Sequence, residues 1–137
     1  MIDMLELPKP LEYREMQRKS PLDFYVENDR KVHAWRCDER VGIFFEGGIR
    51  VGQCQYFLAP LNDQMVAWLG DVTIYSEFDE NTYRPRMLKI LLERIKQTNK
   101  PKCSAVYAMA EDDDELKDLK NLGFKKVGSE VLKKKIS

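Results

Sequence analysis

Through the first third of the chain, apolar residues stand singly among charges. Leu11, Tyr13 and Met16 punctuate the stretch from Leu11 to Lys19, which reads as a short surface helix. Ser20-Pro21 then has the order of an N-cap followed by a first-turn proline. It predicts a second helix to about Trp35, with Leu22, Tyr25, Val26 and Val32 on its buried side. From Arg40 the texture changes. VGIFFE and IRVGQCQYFL are rich in β-branched and aromatic residues and flank Gly47-Gly48, which predicts a tight hairpin. Asn62-Asp63 marks the next turn, and QMVAWLGDVTIY reads as a long third strand. Its apolar face would be Val66, Trp68, Val72 and Ile74, with Asp71 and Thr73 opposite. Gly70 inside that strand predicts a bulge or a close backbone approach.

The second half alternates more cleanly. Residues 76–81 form an acidic, polar loop, and RPRMLKILLERIKQTNK follows as a helix with Pro85 at its first position. Met87, Leu88, Leu91, Leu92 and Ile95 recur there at helical spacing, and Asn99 to Pro101 end the element. CSAVYAMA is a short apolar run between turn signals, the pattern of a buried strand. Asp112 to Glu115 open another helix, where negative charge meets the positive end of the helix dipole. Leu116 and Leu119 face inward, and Gly123 stops the helix. FKKVGSEVLKKKIS closes as one strand or as a hairpin turning near Gly128-Ser129. The order predicts an α/β fold: a central mixed sheet with helices on both faces. A right-handed crossover from Trp68 to Met109 would join two parallel strands.

Composition narrows the function. At 137 residues without repeats or low-complexity linkers, one domain over 1–137 is expected. Lys+Arg and Asp+Glu both total 23, so a domain that binds nucleic acid through global charge is excluded and any anion site is local. The single histidine, His33, makes a multi-histidine zinc site or a standard catalytic triad improbable. Cys37, Cys54 and Cys103 are widely spaced and odd in number, as in a reduced protein with incidental thiols. Pro8 and Pro10 punctuate an opening that lacks the order of a signal peptide, and no run is apolar enough to span a bilayer. A cytoplasmic protein is expected.

The closing segment LKNLGFKKVG, preceded by the hairpin, long strand, helix and strand from about Arg40, resembles the GNAT-type N-acetyltransferase family. In that family a helix ending in leucine, glycine and phenylalanine feeds a late strand, and Leu122-Gly123-Phe124 stands at that joint. The resemblance implies a GNAT-like fold, acetyl-CoA as acyl donor, and an amine on a small molecule or protein as acceptor. It places the cofactor's pyrophosphate on the loop after the long strand, where the family has Gln/Arg-x-x-Gly-x-Gly/Ala. Glycines there let backbone N–H groups approach phosphate. This chain has Tyr83 on the leading position, with Arg86 and Leu88 on the two small-residue positions. A shift by one residue leads with Arg84 and restores no glycine.

The cofactor-binding residues implied are Val72 and Ile74 on the strand, with Arg84, Arg86, Met87 and Leu88 at the loop and helix. The two arginines would supply charge-assisted bonds. Asp71, the one acid inside the long strand, is the implied base. The position of the family's tyrosine acid holds Leu119. Gly70 suits the bulge that, in the family, splays the central strands to admit the cofactor. The departures support an alternative, a catalytically inactive GNAT-fold binding or structural protein of the kind some viruses encode, including virion-associated ones.

Other clusters have plainer readings. Asp112 to Glu115 lacks the alternation of a calcium loop and is read as helix capping. Lys125, Lys126, Lys133, Lys134 and Lys135 are read as protecting an edge strand rather than contacting nucleic acid or an acidic protein. Trp35 and His33 are read as partly buried packing residues rather than as part of a substrate cleft.

Overall fold

The computed structural model describes residues 10–98 and 102–136, so Pro8 and the helix stop at Asn99 to Pro101 lie outside the described residues. Seven strands form one mixed sheet in the order β1-β2-β3-β4-β5-β7-β6. They are β1 (Leu11–Tyr25), β2 (Lys31–Glu46), β3 (Ile49–Leu61), β4 (Gln64–Ile74), β5 (Cys103–Met109), β6 (Lys125–Lys126) and β7 (Val131–Lys135). Helix α1 (Glu80–Gln97) joins β4 to β5, and α2 (Asp113–Asn121) joins β5 to β6. The central β4–β5 pair is parallel, as expected, and every other pair is antiparallel. Among the described residues no helix is long and apolar enough to cross a membrane.

Both helices expected before Trp35 are strand instead. β1 alternates, with Leu11, Tyr13 and Glu15 turned partly inward and Glu12, Arg14 and Met16 outward. Its charges find partners across the ladder: Arg18 bonds Glu39 at 2.5 Å, and Lys19 bonds Asp38. A two-residue alternation interrupted by charges passes for a sparse helical stripe until those cross-strand partners, about twenty positions away, are known. Pro21 caps no helix. It faces the irregularity where Ser20 pairs with Cys37 and Leu22 with Ala34, so that one residue opposes Trp35 and Arg36. A bulge is one of the few places where a sheet tolerates a residue without an N–H.

The turn between β1 and β2 is a single 3-10 turn over Glu27–Asp29, with Asn28 and Asp29 at φ 60 and 58. It docks on the β6–β7 hairpin. Asn28 N–H donates to the Val127 carbonyl at 2.8 Å, and the Asp29 carboxylate accepts from Ser129 N–H at 2.9 Å. Glu27 accepts from Tyr107 Oη at 2.5 Å and from Lys133 Nζ at 2.7 Å. Burial alone would raise the Glu27 pKa, but these bonds outweigh it and hold it at about 2. Lys134 donates to the Leu122 carbonyl, so two of the five clustered lysines are engaged inside the fold.

The core has two layers. Met87, Leu88, Leu91, Leu92 and Ile95 of α1 and Leu119 of α2 pack with Phe44, Val51, Leu58, Leu69 and Val106 on one side of the sheet. The other side buries Phe24, Val26, Ala34, Phe57, Val66, Tyr107 and Val131. Helices were expected on both faces. Here α1 and α2 share one face, and the docked end of the β1–β2 ribbon covers the other. The three cysteines are free and buried. Gly52 lies where β3 passes under α1: a Cβ there would meet the Thr73 carbonyl oxygen and stand 2.7 Å from Met87 Cε. Gly52→Ala is expected to cost about 1–3 kcal/mol by overpacking, read from the urea unfolding midpoint at pH 7.

Candidate functional site

The expected bulge is present in β4. Tyr56 pairs with Leu69 and Cys54 with Val72, so Gln55 alone opposes Gly70 and Asp71. The extra residue flips the alternation. Val66 and Trp68 belong to one core layer, whereas Val72 and Ile74 belong to the other. The single apolar face expected for this strand is therefore divided at the glycine. A Cβ on Gly70 would lie 3.0 Å from both the Gln55 carbonyl oxygen and Gln55 Cγ, which explains why the bulge carries no side chain there.

The bulge coincides with a split in the sheet. β4 and β5 pair from Met65↔Cys103 to Trp68↔Tyr107 and then part. Beyond that point β4 stays with β3, and β5 stays with β7 through Ala108↔Leu132 and Met109↔Val131. The edges that face each other lack a ladder partner, so backbone N–H and C=O groups line the gap. A cavity of about 750 Å³ fills it, walled by Leu69 to Thr73, Ala108 to Glu111, Arg84, Leu88, Leu119, Glu115 and Glu130. It opens at the C-terminal ends of two parallel strands, the usual place for a ligand in a sheet of this kind.

Of the residues implied by the resemblance, Asp71, Val72, Arg84 and Leu88 line the cavity. Ile74, Met87 and Arg86 do not. Ile74 and Met87 are buried in the core. Arg86 bonds Glu46 at 3.1 Å and lies over the Tyr83 ring. Helix α1 also starts earlier than expected: Asp79 is the N-cap, so α1 begins at Glu80 and Pro85 falls in its second turn rather than at its first position. Met87 and Leu88 keep the inward face that their spacing predicts, and Arg84 is buried with them.

Arg84 is the unusual group. It is 6% exposed. Its Nη2 donates to Glu80 at 3.1 Å, and Nη1 stands 3.7 Å from the Asp118 carboxylate. Among the described residues Nε and Nη1 find no hydrogen-bond acceptor. Buried donors of that kind ordinarily find an acceptor.

Sequence reasoning missed the acid on the β5 side. Glu111, Glu115 and Glu130 join Asp71, giving four carboxylates to one guanidinium in the lining. The run from Asp112 does cap α2, with Asp112 accepting from Glu115 N–H at 2.8 Å. Glu115's own side chain turns to the cleft and accepts from Glu111 N–H at 2.6 Å. Burial pushes its pKa up against that bond and the pull of Arg84, and the charges of Glu111 and Asp112 push the same way. The available signal was an acidic run immediately after a buried parallel strand. Trp35 and His33 lie outside the cleft. Trp35 is 83% exposed, with His33 edge-on at 4.4 Å, which corrects their reading as partly buried.

No protein-family model matches the chain, and no curated protein does. Among solved structures it is similar to a chain in the structure of the AtaT-AtaR complex bound to DNA. The TM-score is 0.60 at 14% identity, over 72% of this chain and 68% of that one. At that identity the likeness concerns the fold alone, a GNAT-like mixed sheet.

Proposed function

We propose that the split between β4 and β5 is an acyl-transfer site, which takes an acyl thioester along the free edge of β4 and passes the acyl group to an amine. The observation that carries this reading is the β4 edge beyond Trp68, bulged at Gly70 and unpaired toward β5, forming one wall of the cavity. An extended arm with amide groups would pair with such an edge as an added strand does. Acetyl-CoA carries an arm of this kind, and its thioester supplies an acyl carbon open to attack by an amine.

The chain's own residues would do the rest. Residues 69–73 would orient the arm through backbone groups, and Arg84, held in the wall between Glu80 and Asp118, would set a positive charge beside it. Leu88, Leu119 and Ala108 keep water from the buried end. Asp71, exposed at the bulge, would take a proton from the amine nitrogen as the neutral amine attacks the acyl carbon; the carbon–sulfur bond breaks and that proton passes to the departing sulfur, which leaves as thiol. Glu111, Glu115 and Glu130 draw a cationic amine to the same space.

The test is thiol release from an acetyl thioester in the presence of a panel of alkyl amines. Asp71→Asn is expected to lower the rate by about a hundredfold or more while leaving thioester affinity unchanged. An equal loss in affinity would assign Asp71 to binding instead. A second reading, a GNAT-fold protein that binds without transferring, is favoured by Leu119, an apolar residue at the position where the resemblance expects a tyrosine acid. Thioester binding with no thiol release for any amine selects it.

A further inference from the structure

A nucleotide-bearing donor needs somewhere to put its diphosphate, and the end of the cleft is built against one. Whatever exceeds the cavity leaves it past Thr73 and Glu111 at the C-terminal ends of β4 and β5, and from that end of β4 the chain runs through residues 75–79 into α1. A helix N-terminus ordinarily welcomes an anion. Here the protein's own carboxylates already occupy it. Asp79 Oδ1 accepts from Asn81 N–H at 3.2 Å, and Oδ2 accepts from Thr82 Oγ1 at 2.7 Å. Glu80 follows in the first turn, and Glu77 precedes the cap by two residues.

The cations that the resemblance assigns to phosphate are also committed elsewhere. Arg84 is buried between Glu80 and Asp118, and Arg86 is held by Glu46. The cavity itself presents Asp71, Glu111, Glu115 and Glu130. A diphosphate at this mouth would meet carboxylates, and the Asn81, Thr82 and Tyr83 N–H groups of the helix end are already bonded to Asp79. The free β4 edge carries no such penalty for an uncharged amide arm.

We infer that the donor admitted by this cleft is an acyl thioester on a short uncharged arm, and that Asp79 and Glu80 turn away a nucleotide diphosphate. The inference rests on the acyl-transfer reading and deepens it by naming the class of donor. It reverses the usual order, in which the nucleotide adds affinity to the arm.

The experiment is calorimetric titration of the full chain with S-acetylpantetheine, acetyl-CoA and ADP at low ionic strength. S-acetylpantetheine is expected to bind at least as tightly as acetyl-CoA, and ADP is expected to give no heat. Raising salt from about 0.01 to 0.1 M shortens the screening length from ~30 to ~10 Å, and it should strengthen acetyl-CoA selectively. Asp79→Ser combined with Glu80→Gln keeps a helix cap and removes two charges. That variant should improve acetyl-CoA affinity by roughly fivefold to tenfold and leave S-acetylpantetheine unchanged. Acetyl-CoA binding about tenfold tighter than the arm, or a variant without selective gain, overturns the donor class and leaves the acyl-transfer reading standing. Silence from both thioesters overturns both.

Discussion

Glu15→Gln is expected to destabilise the protein by about 3–5 kcal/mol, because it leaves a buried guanidinium without its counter-ion. Glu15 and Arg40 face each other from β1 and β2 beneath α1, with side chains 7% and 8% exposed and 2.8 Å between Nη1 and Oε2. Tyr56 Oη donates to the other carboxylate oxygen at 2.8 Å, and Arg94 approaches from the helix at 3.4 Å. Removing the charge strands Arg40, whose Nε already has no hydrogen-bond partner. Replacing both members by apolar residues of similar size, Glu15→Leu with Arg40→Met, should recover most of the loss, since burying an ion pair gains little over good packing.

The pH dependence has a definite sign. Burial would raise the Glu15 pKa, but hydrogen bonds from Arg40, Tyr56 and Arg94 outweigh it and hold the pKa below the ordinary 4.5. A carboxylate depressed in the folded state contributes stability above its unfolded pKa and loses it as pH falls through the folded value. Wild type and Glu15→Gln should therefore differ fully at pH 7 and converge below about pH 4.5 in urea unfolding. A constant gap across that range would mean the lost interaction is packing rather than charge.

The legibility of this fold follows the range of its interactions. Elements whose signals are local emerged from the sequence: the Gly47-Gly48 hairpin, the β4 bulge at Gly70, the buried strand β5, the acid cap of α2 and the Gly123 stop, which sits at φ 97. The β1–β2 ribbon did not. Its strands are identified by partners such as Arg18 with Glu39 and Leu11 with Glu46, and by docking of Asp29 on Ser129, one hundred positions away. Local propensity cannot register contacts at that separation.

The cleft divides the same way. Asp71, the one acid of the long strand, and Val72, Arg84 and Leu88, which the resemblance supplies, all fall in the cavity lining. Ile74, Met87 and Arg86 do not reach it: Ile74 lies past the bulge and packs in the core, Met87 takes the inward face its spacing predicts, and Arg86 is drawn to Glu46, a partner forty positions away. Glu111 comes from the loop after β5, Glu115 from α2 and Glu130 from the turn before β7. Only the split brings them opposite Asp71.

The second large effect tests the sheet face opposite α1 and α2. Phe24 is fully buried on β1, and its ring centroid lies 6.1 Å from that of Trp68. Phe24→Ala removes a ring from a layer that also holds Val26, Phe57 and Val131, and it should cost about 3–5 kcal/mol. Phe24→Leu keeps most of the volume and should cost less than half as much. The effect should also reach the cleft, because Trp68 packs on Phe24 from one side and lines the cavity from the other. With two tryptophans in the chain, Trp35→Phe isolates Trp68 as the fluorophore, and the exposure of Trp35 makes that change nearly neutral. In that background Phe24→Ala should shift Trp68 emission to the red and weaken S-acetylpantetheine by a few-fold, whereas Val131→Ala, set back from the cavity wall, should lower stability and leave binding unchanged. A loss below about 1 kcal/mol for Phe24→Ala would mean that the ribbon end lies loosely on the sheet, and that the second layer is not the core described above.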